Sequence, residues 1–225
     1  MTEEIKNRYL EILKDELIPA MGCTEPISLA YAAALARKIL GEMPTKTVLK
    51  VSANIIKNVK SVVVPNTGGL RGINAAVAAG IVAGNADAEL EVLAGVTDAQ
   101  KAEIAEYLKE YEISVSPSGG GCVFEIEIEV SSNASSALVH FAGDHTNVVR
   151  IVKDGATIFE KPYAADGEHA KPYRDLLSIE KIVEYADEVD IADVEEILSR
   201  QIEYNTAIAE EGLRGNWGPR LYPRL

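Results

Sequence analysis

Cysteine is scarce, with two in 225 residues, which excludes a disulfide framework and points to a reducing, cytoplasmic compartment. Three histidines and two cysteines with no short spacing exclude a zinc-finger or zinc-ribbon site. Basic residues are in deficit: 22 Lys and Arg face 35 Asp and Glu, for a net charge of −13. Binding to nucleic acid or to an anionic membrane surface needs clustered Lys and Arg, so both partners are excluded. Long apolar runs are missing as well. The longest uncharged stretch, Gly72 to Ala86, contains Asn74, Asn85 and glycines and falls short of the ~20 residues of a spanning helix. The opening residues, Met1-Thr-Glu-Glu-Ile-Lys6, are acidic and lack the apolar segment of a secretory signal. What remains, at 47% apolar and 25% charged, is an ordinary globular composition of one or two domains.

The periodicity predicts α+β, with Ala-rich helices on a mostly antiparallel sheet and further helices at the C-terminal end. Ile5, Tyr9, Ile12, Leu13 and Leu17 set one helix, stopped by Pro19 and Gly22. A second runs from 24 to 40, with Thr24 as its N-cap and Pro26 in its first turn. A mixed section covers 46–110: strands at 46–52 and 61–64, a turn at 65–69, an Ala-rich helix over 71–83, and shorter helices at 86–94 and 97–110. A β meander fills 113–160. There Phe124 to Val130 alternates between apolar and acidic residues, and Asp154-Gly155 signals a hairpin. Helices return over 178–188 and 191–211. The alanine faces of 24–40 and 71–83 are expected to pack at close range.

Three segments carry candidate chemistry. In Met21-Gly-Cys-Thr-Glu-Pro26, Cys23 stands just ahead of an apolar helix, whose dipole favours a thiolate. The same position also suits a small buried residue beside an ordinary cap, with Glu25 in the first turn. In Val64-Pro-Asn-Thr-Gly-Gly-Leu-Arg-Gly72, a Gly-rich turn leads into a helix. That arrangement either offers amides, with Arg71, to a carboxylate or merely lets helix and strand approach. In Ala142-Gly-Asp-His-Thr-Asn147, His145 titrates nearest neutrality and Asn147 both donates and accepts. His140 and His169 receive no role. Cys122 reads as a strand-entry residue or a second thiol ligand. The row Glu125, Glu127 and Glu129 reads as a solvated strand face.

Taken in order, Gly22-Cys-Thr-Glu-Pro-Ile27, the Val64 to Gly72 loop, Gly143-x-His-Thr-Asn147 and the Asn205 to Gly218 pattern resemble the L-cysteine desulfidase family, itself related to the iron–sulfur serine dehydratase α-chain. The resemblance runs over residues 1–218 and marks them as the N-terminal portion of such an enzyme. Residues 219–225 form an atypical tail, and the whole suggests a split subunit or a frameshifted product. It implies a truncated lyase that converts L-cysteine to hydrogen sulfide, pyruvate and ammonia, with L-serine dehydration as a variant. A non-catalytic amino-acid-binding or regulatory module is the alternative. It also implies a [4Fe–4S] cluster in the complete enzyme, none held by this chain alone, and no pyridoxal phosphate. Expected partners are a small amino acid and either a separate C-terminal half or further copies of the chain. The implied catalytic residues are Cys23, as base or cluster ligand, with Glu25 and His145. Asn66, Thr67, Gly68, Gly69, Arg71 and Asn147 would hold the substrate. A metal-free cysteine nucleophile would need Cys23 and His145 within hydrogen-bond reach.

Overall fold

A computed structural model describes residues 1–119, 121–163 and 173–215. The fold is α+β, and the chain divides into two compact units. One comprises Ala20–His169 and the other Met1–Pro19 with Ala170–Leu225.

The larger unit is built on a six-stranded sheet of order β2-β1-β3-β4-β5-β6. Its strands are β1 (Lys46–Val51), β2 (Ile113–Pro117), β3 (Glu125–Ser131), β4 (Ser136–Ala142), β5 (Val148–Lys153) and β6 (Ala156–Glu160). Only β1 and β2 are parallel; the other neighbours are antiparallel. Alternation sets the register: Ile126, Ile128 and Val130 of β3 and Val139 and Phe141 of β4 are all fully buried on one face. The hairpin at Asp154-Gly155 forms with both residues at positive φ, 50° and 79°, as a two-residue primed turn requires.

Preceding α1 belongs to the smaller unit; here α2 (Thr24–Leu40) packs on β3 and β4 and also on α4 (Gly72–Ala83). Its apolar surface runs nearly all round, which is why eleven of its residues are buried. Small side chains let the two helices approach until backbones touch. An ideal Cβ on Gly80 would lie 2.1 Å from the Ala30 carbonyl oxygen. Arg37 of α2 then donates to the carbonyls of Ile81, Val82 and Gly84, closing the C-terminal end of α4. Helix α5 (Asp98–Glu110) starts with a capping box between Thr97 and Gln100.

In the smaller unit α1 (Glu3–Glu16), α6 (Ile179–Glu188) and α7 (Ile191–Arg214) carry amphipathic patterns. The Tyr9 and Tyr185 rings meet at 5.1 Å, and the Tyr9 hydroxyl donates to the Leu176 carbonyl.

Several expectations change. A helix, α3 (Ala53–Val59), fills residues between β1 and the Gly-rich turn where no element was expected. Residues 61–64 form no strand; Val63 makes a single bridge to Arg71. The intervening turn folds the chain back at once, with Asn66, Gly68 and Gly69 all at positive φ. The expected helix at 86–94 is a short 3-10 segment, Ala86–Glu91, broken at Glu89. Glu125 does not belong to a solvated face. It is 6% exposed, and its Oε1 lies 3.1 Å from His140 Nε2 across the β3–β4 pair. Glu127 instead pairs with Lys50 at 2.8 Å. Tyr163 meets His140 edge-on, with ring centroids 5.1 Å apart. His169 and the tail 219–225 lie outside the described residues.

Candidate functional site

Thr24 is not the N-cap of α2. Cys23 occupies that position, with no side-chain capping bond, and Thr24 is the first helical residue. The shift by one residue frees the Thr24 hydroxyl, which meets His145 Nε2 at 3.0 Å. The other imidazole nitrogen, Nδ1, faces the Asp144 carboxylate at 3.9 Å, and the ring lies 4.5 Å from Phe124. The hydroxyl–imidazole contact is within hydrogen-bond reach, whereas the carboxylate stands beyond it and accepts instead from the His145 amide at 2.6 Å. Sequence reasoning missed Thr24 because cap and first-turn positions differ by one residue and only the backbone angles separate them.

Cys23 follows Gly22, whose φ of 99° turns the chain into the helix. The thiol Sγ is 3.2 Å from Glu25 Oε2 and donates to it. The second oxygen of Glu25 accepts from Asn58 of α3 at 3.1 Å. Asn58 was also missed, since nothing in the sequence marked α3. The thiolate expected from the helix dipole is corrected here. Partial burial, then the hydrogen bond to Glu25 and its negative charge, push the Cys23 thiol above its ordinary value. Glu25 moves the opposite way. Burial opposes the shift, but hydrogen bonds from Cys23, its own amide and Asn58, with the charge of His145, hold the carboxyl below the usual range. The Cys23–His145 hydrogen bond of a cysteine nucleophile is not formed: each of the two has its own partner.

The Gly-rich turn reaches this place, since a Cβ on Gly22 would sit 3.9 Å from Pro65 Cγ. Its polar side chains, however, point into the fold. Asn66 donates to the carbonyls of Leu93, Ala94 and Val96, and Thr67 donates to Val64. Arg71 donates to the Ser61 carbonyl, and Asn147 donates to Ala142 at 2.6 Å. All four side chains thus hydrogen-bond to backbone carbonyls, and Arg71 is exposed. Gly68 and Gly69 keep an open face, with only Lys101 Cδ, at 4.0 Å, near a Cβ position on Gly68. Cys122 is buried and donates to the Phe124 carbonyl at 3.1 Å. It is a packed strand-entry residue.

A cluster held by this chain would need three or four thiolates, and the sequence has two cysteines, one of them turned inward on a backbone carbonyl. Among the described residues no three His, Cys, Asp or Glu side chains are placed to hold a metal ion. The donor set does not fit the cluster. No described helix is long and apolar enough to cross a membrane.

Comparison with known proteins bears on the name. A UPF0597 protein of Desulfitobacterium hafniense is 52% identical over 213 residues, covering 95% of this chain and 50% of the relative. The chain is similar to UPF0597 proteins. Those of Treponema denticola and Lachnoclostridium phytofermentans are 40% and 43% identical, with 94% of this chain and 49% and 50% of each relative covered. The chain thus spans about half the length of the curated relatives it matches. No family model and no solved structure matches it. The resemblance to L-cysteine desulfidases is overturned by these names, and with it the labels lyase, iron–sulfur and hydrogen sulfide. The physical reason lies in the motifs, which record a tight turn before a helix, a Gly-rich loop and a strand-end loop. Here the side chains of the Gly-rich loop serve the backbone, a role that many chemistries share.

A labelling experiment tests the assignment of the thiols. In the folded chain iodoacetamide is expected to modify one cysteine, Cys23, and to reach Cys122 only after denaturation. Cys23 is expected to react more slowly at pH 7 than a free thiol, because a raised pKa leaves less thiolate. Glu25→Gln removes a negative charge beside it and is expected to speed the reaction about fivefold, the factor set by roughly 1 kcal/mol of Coulomb energy. Equal rates in the two proteins count against the Cys23–Glu25 contact.

Proposed function

We propose that this chain supplies the N-terminal part of an enzyme acting on a small amino acid, with Cys23 and Glu25 as the proton-handling pair. The observation that carries this reading is the meeting of three loops at the start of α2. There the Cys23 thiol donates to Glu25, and Thr24 joins the loop bearing His145 and Asp144. A thiol held protonated at neutral pH by the carboxylate beside it is a proton donor, and the thiolate it leaves takes the proton back. The negative charge of Glu25 suits the ammonium of an amino acid. The open amides of Gly68 and Gly69, with Lys101 beside them, suit its carboxylate. Two thiols without a disulfide agree with work in the reducing cytoplasm. A second reading, an amino-acid-binding module without chemistry, is favoured by the same raised thiol pKa, since it leaves no ready nucleophile.

Titration calorimetry with L-serine, L-cysteine and L-alanine is the test, run on this chain and on the full-length Desulfitobacterium hafniense relative. The corresponding amines and carboxylic acids serve as controls. Amino-acid binding is expected, with a loss of tenfold or more in Glu25→Gln. Cys23→Ala is expected to keep binding while abolishing turnover in the full-length protein. No binding by either protein overturns the proposal. Binding without any turnover, unaffected by Cys23→Ala, selects the module.

A further inference from the structure

Helix α7 changes character half-way along. Val194 and Ile197 are buried, but from Gln201 to Arg214 every residue is exposed. Those fourteen residues extend about 21 Å, at 1.5 Å each. The apolar stripe does not stop with the burial. At about 100° per residue, Ile202, Ile208 and Leu213 fall on the same broad side of the helix as Val194 and Ile197. Exposure reaches 62% at Ile202, 69% at Ile208 and 84% at Leu213. A bare helix of this length is marginal in water, and its stability normally comes from packing of the apolar face. Single exposed leucines need no explanation, but three large apolar residues on one side of a fully exposed helical segment do.

Two facts say what covers it. The chain matches only about half of each relative, while the match spans nearly all of this chain, so the relatives carry as much polypeptide again. The same side contains Ala209 and Gly212, small enough for close approach. We infer that the C-terminal half of α7 is the seat of the other half of the UPF0597 polypeptide. The docking element presents an apolar face to it. The Asn205 to Gly218 pattern, idle in the candidate site, falls on this stretch, with Trp217 and Gly218 outside the described residues.

Hydrogen exchange and melting, measured on this chain and on the full-length Desulfitobacterium hafniense relative, decide it. In this chain the amides of 201–214 are expected to exchange fast. Ile202→Glu with Ile208→Glu is expected to leave its melting temperature within about 1 °C, as substitutions at exposed sites do. In the relative, the aligned helix is expected to exchange at least a hundredfold more slowly. The same pair of changes at the aligned positions is expected to lower its melting temperature by several degrees. Fast exchange of that helix in the unmodified relative, or harmless substitutions there, overturns the inference. So does a dimer of this chain, seen by light scattering, that the double substitution converts to monomer, because a second copy then holds the stripe.

Discussion

Gly80→Ala is expected to destabilise the chain by about 3 kcal/mol or more, the upper range for overpacking. An alanine Cβ there would stand 2.1 Å from the Ala30 carbonyl oxygen and 2.8 Å from its carbonyl carbon and Cα. All three are backbone atoms of a helix that is itself buried on several sides, so no side chain can swing away. The helices must separate, and the alanines along α2 and α4 lose contact with one another. For a chain of this size the melting temperature is expected to fall by on the order of 10 °C. Ala33→Leu and Ala76→Leu, both at fully buried positions, are expected to cost about 1–3 kcal/mol each. Gly95→Ala is the control, since nothing lies within 4 Å of a Cβ there. Urea midpoints for the four variants check the ranking. A Gly80→Ala protein as stable as the Gly95→Ala protein would mean the helices do not touch.

His140→Ala is expected to cost about 3–5 kcal/mol, the range for breaking a buried pair by removing one member. Among the described residues the imidazole supplies the one side-chain hydrogen bond to Glu125, whose other oxygen, Oε2, is buried with no partner there. Loss of the imidazole strands the whole carboxyl group at a site only 6% exposed. Replacing both residues together, Glu125→Leu with His140→Leu, is expected to cost much less than the single change, because no polar group is left stranded. A double variant less stable than His140→Ala would show that the pair contributes net stability of its own.

The legible part of this protein lay in signals carried over short distances. The alternation from Ile126 to Val130 named one buried face of β3, and the Asp154-Gly155 pair named the β5–β6 hairpin. The start of α5 was legible at residue 97, and the alanines of α2 and α4 announced their close packing. Each of these is settled by residues within one or two turns of each other. The readings that changed depended on what lay across the fold. Glu125 alternates like Glu127 and Glu129, yet it lies buried beside a histidine fifteen residues on. The carbonyl partners of Asn66, Thr67 and Asn147 likewise became visible only in the fold.

The thiol at Cys23 divides the two kinds of information most sharply. Its place ahead of an apolar helix follows from Gly22, Pro26 and the alanines alone, and the dipole of that helix favours an anion there. Whether an anion forms depends on the nearest charge and on the water removed. Those are set by Glu25 turning back toward the sulfur, held by Asn58 from a helix no local pattern announced. Helices, strands and turns arise from neighbours along the chain, so the residue order is enough to infer them. Protonation, burial of a charge and the choice of hydrogen-bond partner arise from groups that meet only when distant segments are packed, because Coulomb and desolvation energies depend on distance in space.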